Sequence, residues 1–307
     1  TFSVALGDVD TDGDLDLVAG IRDQTNRLYL NNGTASPWNG VSGSDITTDA
    51  DSAWSVALGD VDGDGDLDLV VGNDDVQTNR LYLNNGTADP WNGVFGSDIT
   101  THSEDTLSVA LGDVDDDGDL DLVAGNDGQT NRLYLNNGTA DPWNGVSGND
   151  ITADADDTFS VALGDVDDDG DVDLAAGNDG QTNRLYLNNG TTDPWNGVSG
   201  SDITTDTEDT RSVALGDVDG DGDLDLVAGN SDTNRLYLNN GTADPWNGVF
   251  GSDITADTDD TFSVALGDVD TDGDLDLVAG IRDQTNRLYL NNGTASPWNG
   301  VSGSDIT

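Results

Sequence analysis

One segment recurs six times and fills this chain. The motif Ser-Val-Ala-Leu-Gly-Asp-Val-Asp places Leu6, Leu58, Leu111, Leu163, Leu215 and Leu266 at spacings of 52, 53, 52, 52 and 51 residues. A period of that size means one supersecondary unit per repeat, too small to bury its own apolar face, so neighbouring units must stack. The repeats run approximately 1–52, 53–105, 106–157, 158–209, 210–260 and 261–307, and they point to a single domain over 1–307 in spite of the length. Residues 1–47 are identical to 261–307. So recent a copy preserves neutral and essential positions alike, and identity between repeats says little about which residues matter.

Each unit reads as four short strands. In the first copy Ser3 to Val9 alternates, Leu15 to Ala19 is a short apolar run, Arg27 to Asn31 carries Leu28 and Leu30, and Ser44 to Thr47 is a weak final strand. Gly7, Gly13, Gly20, Gly33, Pro37, Gly40 and Gly43 break the unit so often that no stretch long enough for a helix keeps a 3.6-residue period. Asn32-Gly33 suits a tight turn with positive φ after the third strand. Six such units predict an all-β chain, a β-propeller of six four-stranded antiparallel blades rather than seven, whose faces are buried against neighbouring blades. Closure into a ring would leave a monomer.

The strongest chemical signal lies between the first two strands. Asp8-Val9-Asp10-Thr11-Asp12-Gly13-Asp14-Leu15-Asp16 sets carboxylates at loop positions 1, 3, 5 and 9, with Gly at position 6 for the bend and the carbonyl of position 7 free to face inward. Asp side chains spaced two apart on a curling backbone converge on one centre. Ca²⁺ takes six to eight oxygens in flexible geometry, whereas Mg²⁺ demands a stricter octahedron and keeps more water. The set recurs complete at Asp60, Asp62, Asp64, Asp66 and Asp68; at Asp113, Asp115, Asp117, Asp119 and Asp121; and at Asp165, Asp167, Asp169, Asp171 and Asp173. It recurs again at Asp217, Asp219, Asp221, Asp223 and Asp225 and at Asp268, Asp270, Asp272, Asp274 and Asp276. About six Ca²⁺, one per repeat, are therefore expected. An EF-hand would need flanking helices and a Glu at position 12, where the first loop has Ala19. The bland alternative is a solvated acidic turn, since Asp and Gly both favour turns.

The run Leu-Gly-Asp-Val-Asp-x-Asp-Gly-Asp-x-Asp-Leu, followed by Asn-Arg-Leu-Tyr-Leu-Asn-Asn-Gly, resembles the FG-GAP or VCBS repeat of integrin-like β-propellers over all six units. The resemblance implies a Ca²⁺ loop joining the two inner strands of each blade and an extracellular role in adhesion, carbohydrate binding or scaffolding. Integrin propellers have seven blades, whereas six units are counted in this chain. In integrins the ligand face lies opposite the Ca²⁺ loops, which implies recognition by the segments at 21–24, 73–77, 126–129, 178–181, 230–232 and 281–284.

Charge and composition narrow the partners. Nine Arg and no Lys face sixty-two acids, leaving a formal net charge of −53. That potential excludes nucleic acid as a partner. No apolar run approaches a membrane-spanning length, so no membrane insertion is expected. Cys is absent, which removes disulfides and thiolate sites and leaves packing or a hard cation to stabilise the fold. The chain starts at Thr1 and contains no Met, the pattern of a processed product or a domain of a longer secreted protein, with its targeting segment outside this sequence. Asp-rich, Lys-free composition also resembles proteins from high-salt environments; thirty of the sixty Asp, however, lie in the metal motifs.

The remaining recurrent residues have competing readings. Trp38, Trp91, Trp143, Trp195, Trp246 and Trp298 follow Pro once per unit and serve either packing between blades or stacking on sugars. Trp54 occupies a position taken by Phe2, Leu107, Phe159, Arg211 and Phe262 in other copies and reads as semi-buried packing. Arg27, Arg80, Arg132, Arg184, Arg235 and Arg287 could bind anions, but the surplus of carboxylates favours pairing with Asp. The Asn-Gly-Thr triplets from Asn32 onward match the glycosylation sequon and equally the tight turn. His102 is the only His, and in an acidic linker it reads as a surface residue rather than a catalytic base. No catalytic residue is assigned and no enzyme activity is expected. The sequence thus points to a calcium-stabilised, non-catalytic adhesion or scaffold module, extracellular or at the cell surface, with an unknown protein or glycan ligand. A multivalent lectin is the alternative, and an accessory domain of a secreted polysaccharide-degrading enzyme ranks third.

Overall fold

The computed structural model describes residues 1–99 and 103–306. Among them there are 24 strands and no helix. In the first blade β1 (Ser3–Gly7), β2 (Asp16–Gly20), β3 (Arg27–Tyr29) and β4 (Ser44–Asp45) pair antiparallel in sequence order. Leu6 faces Leu17 across β1 and β2, and Leu28 faces Val18 across β2 and β3. The same order fills residues 53–98, 106–150, 158–202, 210–253 and 261–305, which makes six blades of an all-β propeller fold. By packing, the chain divides into two compact units, Thr1–Ala155 with blades 1 to 3 and Asp156–Thr307 with blades 4 to 6. Each is described by itself.

The strands sit where the apolar runs place them, trimmed at their ends by glycine and by the acidic loops. The second strand of blades 2 to 5 is buried at every residue; in blade 2 and in blade 5 a neighbouring blade of the same unit lies against each face. Gly33 takes φ 67° in the turn after β3, and its equivalents do the same. The first strands of blades 2 to 6 each carry a β-bulge at their start, at Trp54, Leu107, Phe159, Arg211 and Phe262. The extra residue explains why this position tolerates such different side chains, since a bulged residue is released from the pairing register.

Blade-to-blade packing fills the core. In unit 1 Trp91 joins Val9, Val18, Leu28 and Ile46 of the preceding blade, and in unit 2 Trp298 joins Val218, Val227, Leu236 and Ile254. Their indole N–H groups donate to the carbonyls of Tyr82 and Tyr289 at 3.1 and 3.2 Å, which satisfies the one polar atom that burial would otherwise strand. Five of the six recurrent Trp are buried and donate their indole N–H to the Tyr carbonyl of their own blade, so their role is packing; Trp38 alone is exposed. We expect Trp143→Ala to destabilise unit 1 by about 3 to 5 kcal/mol, as read from urea unfolding at fixed Ca²⁺.

Candidate metal centre

The loop between the first two strands is shaped by its own carboxylates. Asp8 accepts the backbone N–H of Asp12 at 3.1 Å and of Gly13 at 3.0 Å, and Asp12 accepts that of Asp14 at 3.0 Å. These bonds curl the backbone so that successive Asp side chains turn inward. Gly13 supplies φ 95° at the bend. Position 4 is also left-handed in every loop, with φ 59° at Thr11, 60° at Asp116 and Asp168, and 65° at Thr271, where Gly63 and Gly220 adopt the same region without cost. The sequence shows position 4 as variable but gives no sign of this constraint.

Oxygens of Asp8, Asp10 and Asp12 come within 4.8 Å of one another, as do those of Asp60, Asp62 and Asp68, of Asp113, Asp115 and Asp121, of Asp165, Asp167 and Asp173, and of Asp217, Asp219 and Asp225. Positions 1, 3 and 9 thus converge in four of these loops, and positions 1, 3 and 5 in the first. Asp14 and Asp66, at position 7, instead lie against Gly33 and Gly86 of the turn after the third strand: a Cβ there would stand 3.0 and 2.8 Å from the carboxylate. That contact puts the loop and the Asn-Gly turn on the same side of the blade, and a side chain turned to the turn is compatible with a ligating backbone carbonyl at position 7.

Position 9 does more than offer a ligand. Asp16 is buried, and its two oxygens accept the N–H of Val9 at 3.1 Å and of Asn31 at 2.7 Å. Asp68, Asp121, Asp173, Asp225 and Asp276 repeat this brace. No spacing rule in the sequence distinguishes this Asp from the other four; only its following an acidic loop and opening an apolar strand hints at burial.

Burial pushes the carboxyl groups of Asp68, Asp121, Asp173 and Asp225 up to about 7, although the two backbone donors pull the other way. Asp16 is raised for the same reason. At position 3, burial and then the neighbouring loop carboxylates raise Asp10, Asp62, Asp115, Asp167, Asp219 and Asp270. Moreover, Oδ1 of Asp115, Asp165 and Asp219 is buried without a hydrogen-bond partner. An all-oxygen cluster with raised pKa values and orphaned inward oxygens fits a hard divalent cation and offers nothing to a soft one.

The other recurrent groups serve the scaffold. Arg80 pairs with Asp51 and Asp98, Arg132 with Glu104 and Asp150, and Arg235 with Glu208 and Asp253, while each also donates to a glycine carbonyl before the fourth strand. These arginines staple the weak outer strand to the third strand and the linker, as the surplus of acid suggested. The Asn32 amide donates to the carbonyls of Ser36 and Asn39 within its own loop. His102 lies outside the described residues. Sequence reading missed the ring contacts at the bulges: Phe2 stacks on Trp54 at 4.3 Å beneath Arg22, and Arg211 covers Phe159 at 4.5 Å.

Propeller blades whose inner strands are joined by an Asp loop able to hold a metal ion define a β-propeller repeat protein. The FG-GAP-like repeat family matches at residues 8–71, 60–124, 113–176, 165–228 and 217–279, and the chain belongs to that family. No curated protein matches the chain. Among solved structures it is similar to an Agrocybe aegerita lectin described for recognition of non-reducing terminal N-acetylglucosamine, with a TM-score of 0.65 and 17% identity over 98% of this chain and 79% of that one. It is also similar to a chain in crystals of BBS1N in complex with ARL6DN, soaked with mercury or with lead, with TM-scores of 0.58 and 0.55 and 14% identity over 94% of this chain and 77% of that chain. At such identities the likeness is one of fold.

Two outcomes follow from the loop. In chelator, a carboxyl raised from about 3.9 in the unfolded chain to about 7 in the folded one stabilises the fold fully below the lower value and loses that stabilisation as pH rises through the upper. The melting temperature in EDTA should therefore fall between about pH 5 and about pH 8; in saturating Ca²⁺ the trend should reverse, because ligation needs the carboxylates ionised. Thr11→Gly, which relieves a β-branched residue held left-handed, should stabilise the Ca²⁺-loaded protein by about 1 kcal/mol or less in urea unfolding.

Proposed function

We propose that this chain is a calcium-stabilised, non-catalytic interaction module that works outside the cell, holding about one Ca²⁺ per repeat. The observation that carries the reading is the inward, partly orphaned carboxylate cluster at the same place in successive blades. Positions 1, 3, 5 and 9 would supply carboxylate oxygens and position 7 its carbonyl, so that each ion offsets the mutual repulsion of its loop and ties the first strand to the second. Extracellular modules bind Ca²⁺ with dissociation constants of about 0.1 to 1 mM. At ten times its dissociation constant each site stabilises the fold by about 1.4 kcal/mol, and six sites by about 8 kcal/mol. That sum is comparable to a whole domain's stability. A location outside the cell, where free Ca²⁺ is abundant, agrees with this need, and no helix of the described residues is long and apolar enough to cross a membrane.

Glycan binding is the second reading, and the grooves between blades favour it. Cavities of about 620 Å³ between blades 1 and 2 and about 650 Å³ between blades 5 and 6 are lined by Asp45, Asp49 and Asn92 and by Asp253, Arg287 and Asn299, groups able to hydrogen-bond sugar hydroxyls. Phe95 and Phe250, both 89% exposed, stand at the grooves of blades 2 and 5 as flat apolar faces. The similarity to a lectin described as recognising terminal N-acetylglucosamine supports this reading.

Scanning calorimetry across a Ca²⁺ titration at fixed ionic strength, with bound metal counted by elemental analysis, tests the first reading. A melting temperature that climbs with Ca²⁺ and about six ions per chain are expected; an unchanged melting temperature with no bound ion would sink it. A glycan array in Ca²⁺ and in EDTA separates the two roles. Specific, Ca²⁺-dependent signal on N-acetylglucosamine-terminated glycans, lost in Phe95→Ser with Phe250→Ser, would establish the lectin, whereas a scaffold gives none.

A further inference from the structure

In an Asn-Gly dipeptide the side-chain amide is unusually open to attack by the main chain, since glycine has no Cβ to shield its nitrogen. This chain has twelve such dipeptides, two per repeat, and their hydrogen bonds divide them into classes. In the turn after each third strand the glycine N–H is committed. Gly33 donates to Asn31 Oδ1 and Gly293 to Asn291 Oδ1, both at 3.0 Å, and the other four repeats do the same. The Asn side chain is held too, since Asn32 and Asn292 donate to the carbonyls of Ser36 and Ser296 at 3.1 and 3.0 Å. The hydroxyl of the following Thr polarises the amide carbonyl, yet the nitrogen that could attack it is engaged elsewhere.

The second Asn-Gly of each repeat follows the recurrent Trp, and there the glycine N–H has no hydrogen-bond partner among the described residues. In blades 2 to 5 the Asn is clamped instead. Asn92, Asn144, Asn196 and Asn247 donate their side-chain amides to the carboxylates of Asp89, Asp141, Asp193 and Asp244 at 2.7 or 2.8 Å. Blades 1 and 6 carry Ser36 and Ser296 at the place of that Asp, and the amides of Asn39 and Asn299 have no partner among the described residues. Both Asn are exposed. A Cβ on Gly40 or Gly300 would meet nothing within 4 Å, so there is room for a ring to form at either position.

We propose that Asn39 and Asn299 are the sites at which this protein deamidates, through a succinimide, to Asp and isoaspartate. A solvent base takes the proton of the Gly300 N–H, and the nitrogen attacks Asn299 Cγ. The new N–Cγ bond forms as the Cγ–Nδ2 bond breaks, and Nδ2 leaves as ammonia. Water then opens the ring at either carbonyl, so the balance is one water consumed and one ammonia released. At Asn247 and its equivalents the same attack has to draw the amide away from its carboxylate and build an anionic tetrahedral carbon beside that charge. Asn299 lies in the wall of the groove between blades 5 and 6 with Asp253, Asp257 and Arg287. Deamidation adds a carboxylate to that wall, and the isoaspartyl form lengthens the main chain inside the turn that the Val301 N–H closes on the Trp298 carbonyl at 3.0 Å.

The test is ageing of the full chain in Ca²⁺ at mildly alkaline pH in isotope-labelled water, with peptide mapping by mass spectrometry. Asn39 and Asn299 should convert roughly tenfold faster than Asn92, Asn144, Asn196 and Asn247, the factor that one hydrogen bond to a charged group allows. The Asn of the turns after the third strands should convert slowest. Ser296→Asp should slow Asn299 to the rate of Asn247, and Asp244→Ser should bring Asn247 up to that of Asn299. In guanidinium chloride with EDTA all the Asn-Gly sites should converge on one rate, because the hydrogen bonds are gone. Absence of conversion at Asn39 and Asn299, equal rates across the second set in the folded protein, or exchanges that leave the rates unchanged would overturn the proposal. So would a ranking that persists in denaturant, which would assign it to flanking sequence and not to the fold.

Discussion

Everything in this fold hangs on a buried carboxylate that has no cation beside it in the sequence. The Asp at position 9 of each loop opens the second strand, lies in the core, and holds the exit of the first strand with one oxygen and the exit of the third with the other, as Asp16 does for Val9 and Asn31. Three strands of a blade therefore meet on one side chain. A group so buried is hard to ionise, and in blades 2 to 5 the carboxylates at positions 3 and 5 of its loop make ionisation harder still. A divalent cation resolves both difficulties at once, whereas two backbone donors resolve only the first in part. This is the physical reason why the acidic loop and the apolar strand that follows it belong to one device.

The brace is continued from blade to blade. Val9 gives its N–H to Asp16 and its carbonyl to the Asn84 amide, while the backbone N–H of Asn84 goes to Asp68, the same brace in the next blade. Asp68 in turn holds Val61, whose carbonyl receives Asn136, which is bound to Asp121. In unit 2 the sequence of partners is Asp173, Val166, Asn239, Asp225, Val218 and Asn291. Hydrogen bonds thus link one loop to the next through the first Asn of each Asn-Asn-Gly turn. Order that an ion would impose on a loop would pass directly to the surface on which the neighbouring blade packs, so metal binding would be coupled to blade stacking.

Much of this was legible from residue order. Strand positions, the six-fold period, the glycine turn at Gly33 and the pairing of the arginines all follow from apolar runs, punctuation and charge surplus, which are local signals. What escaped the sequence depends on partners far along the chain. Asp16 and Asp12 look alike in a loop of alternating Asp, and only the third strand's return makes one of them a brace. The left-handed backbone at Thr11 is invisible because β-branched residues seldom adopt it. The bulge that carries Trp54 or Arg211 reads as poor alternation, and its ring contacts with Arg22 or Phe159 cross between blades. Position 7 was expected to offer its carbonyl and not its carboxylate, but where its side chain goes was not legible: it lies against the glycine of the Asn-Gly turn.

The identical stretches 1–47 and 261–307 isolate what a neighbour contributes. Trp38 and Trp298 share every flanking residue, yet one is 42% exposed and the other 2%. Burial in a repeat array is therefore a property of the junction and not of the repeat. Twenty-eight Asp lie outside the acidic loops, on linkers, outer strands and grooves. Dispersed like charge weakens contact between chains while blades joined covalently are held together by their proximity, so the acidity outside the loops is explained by what a repeat must avoid.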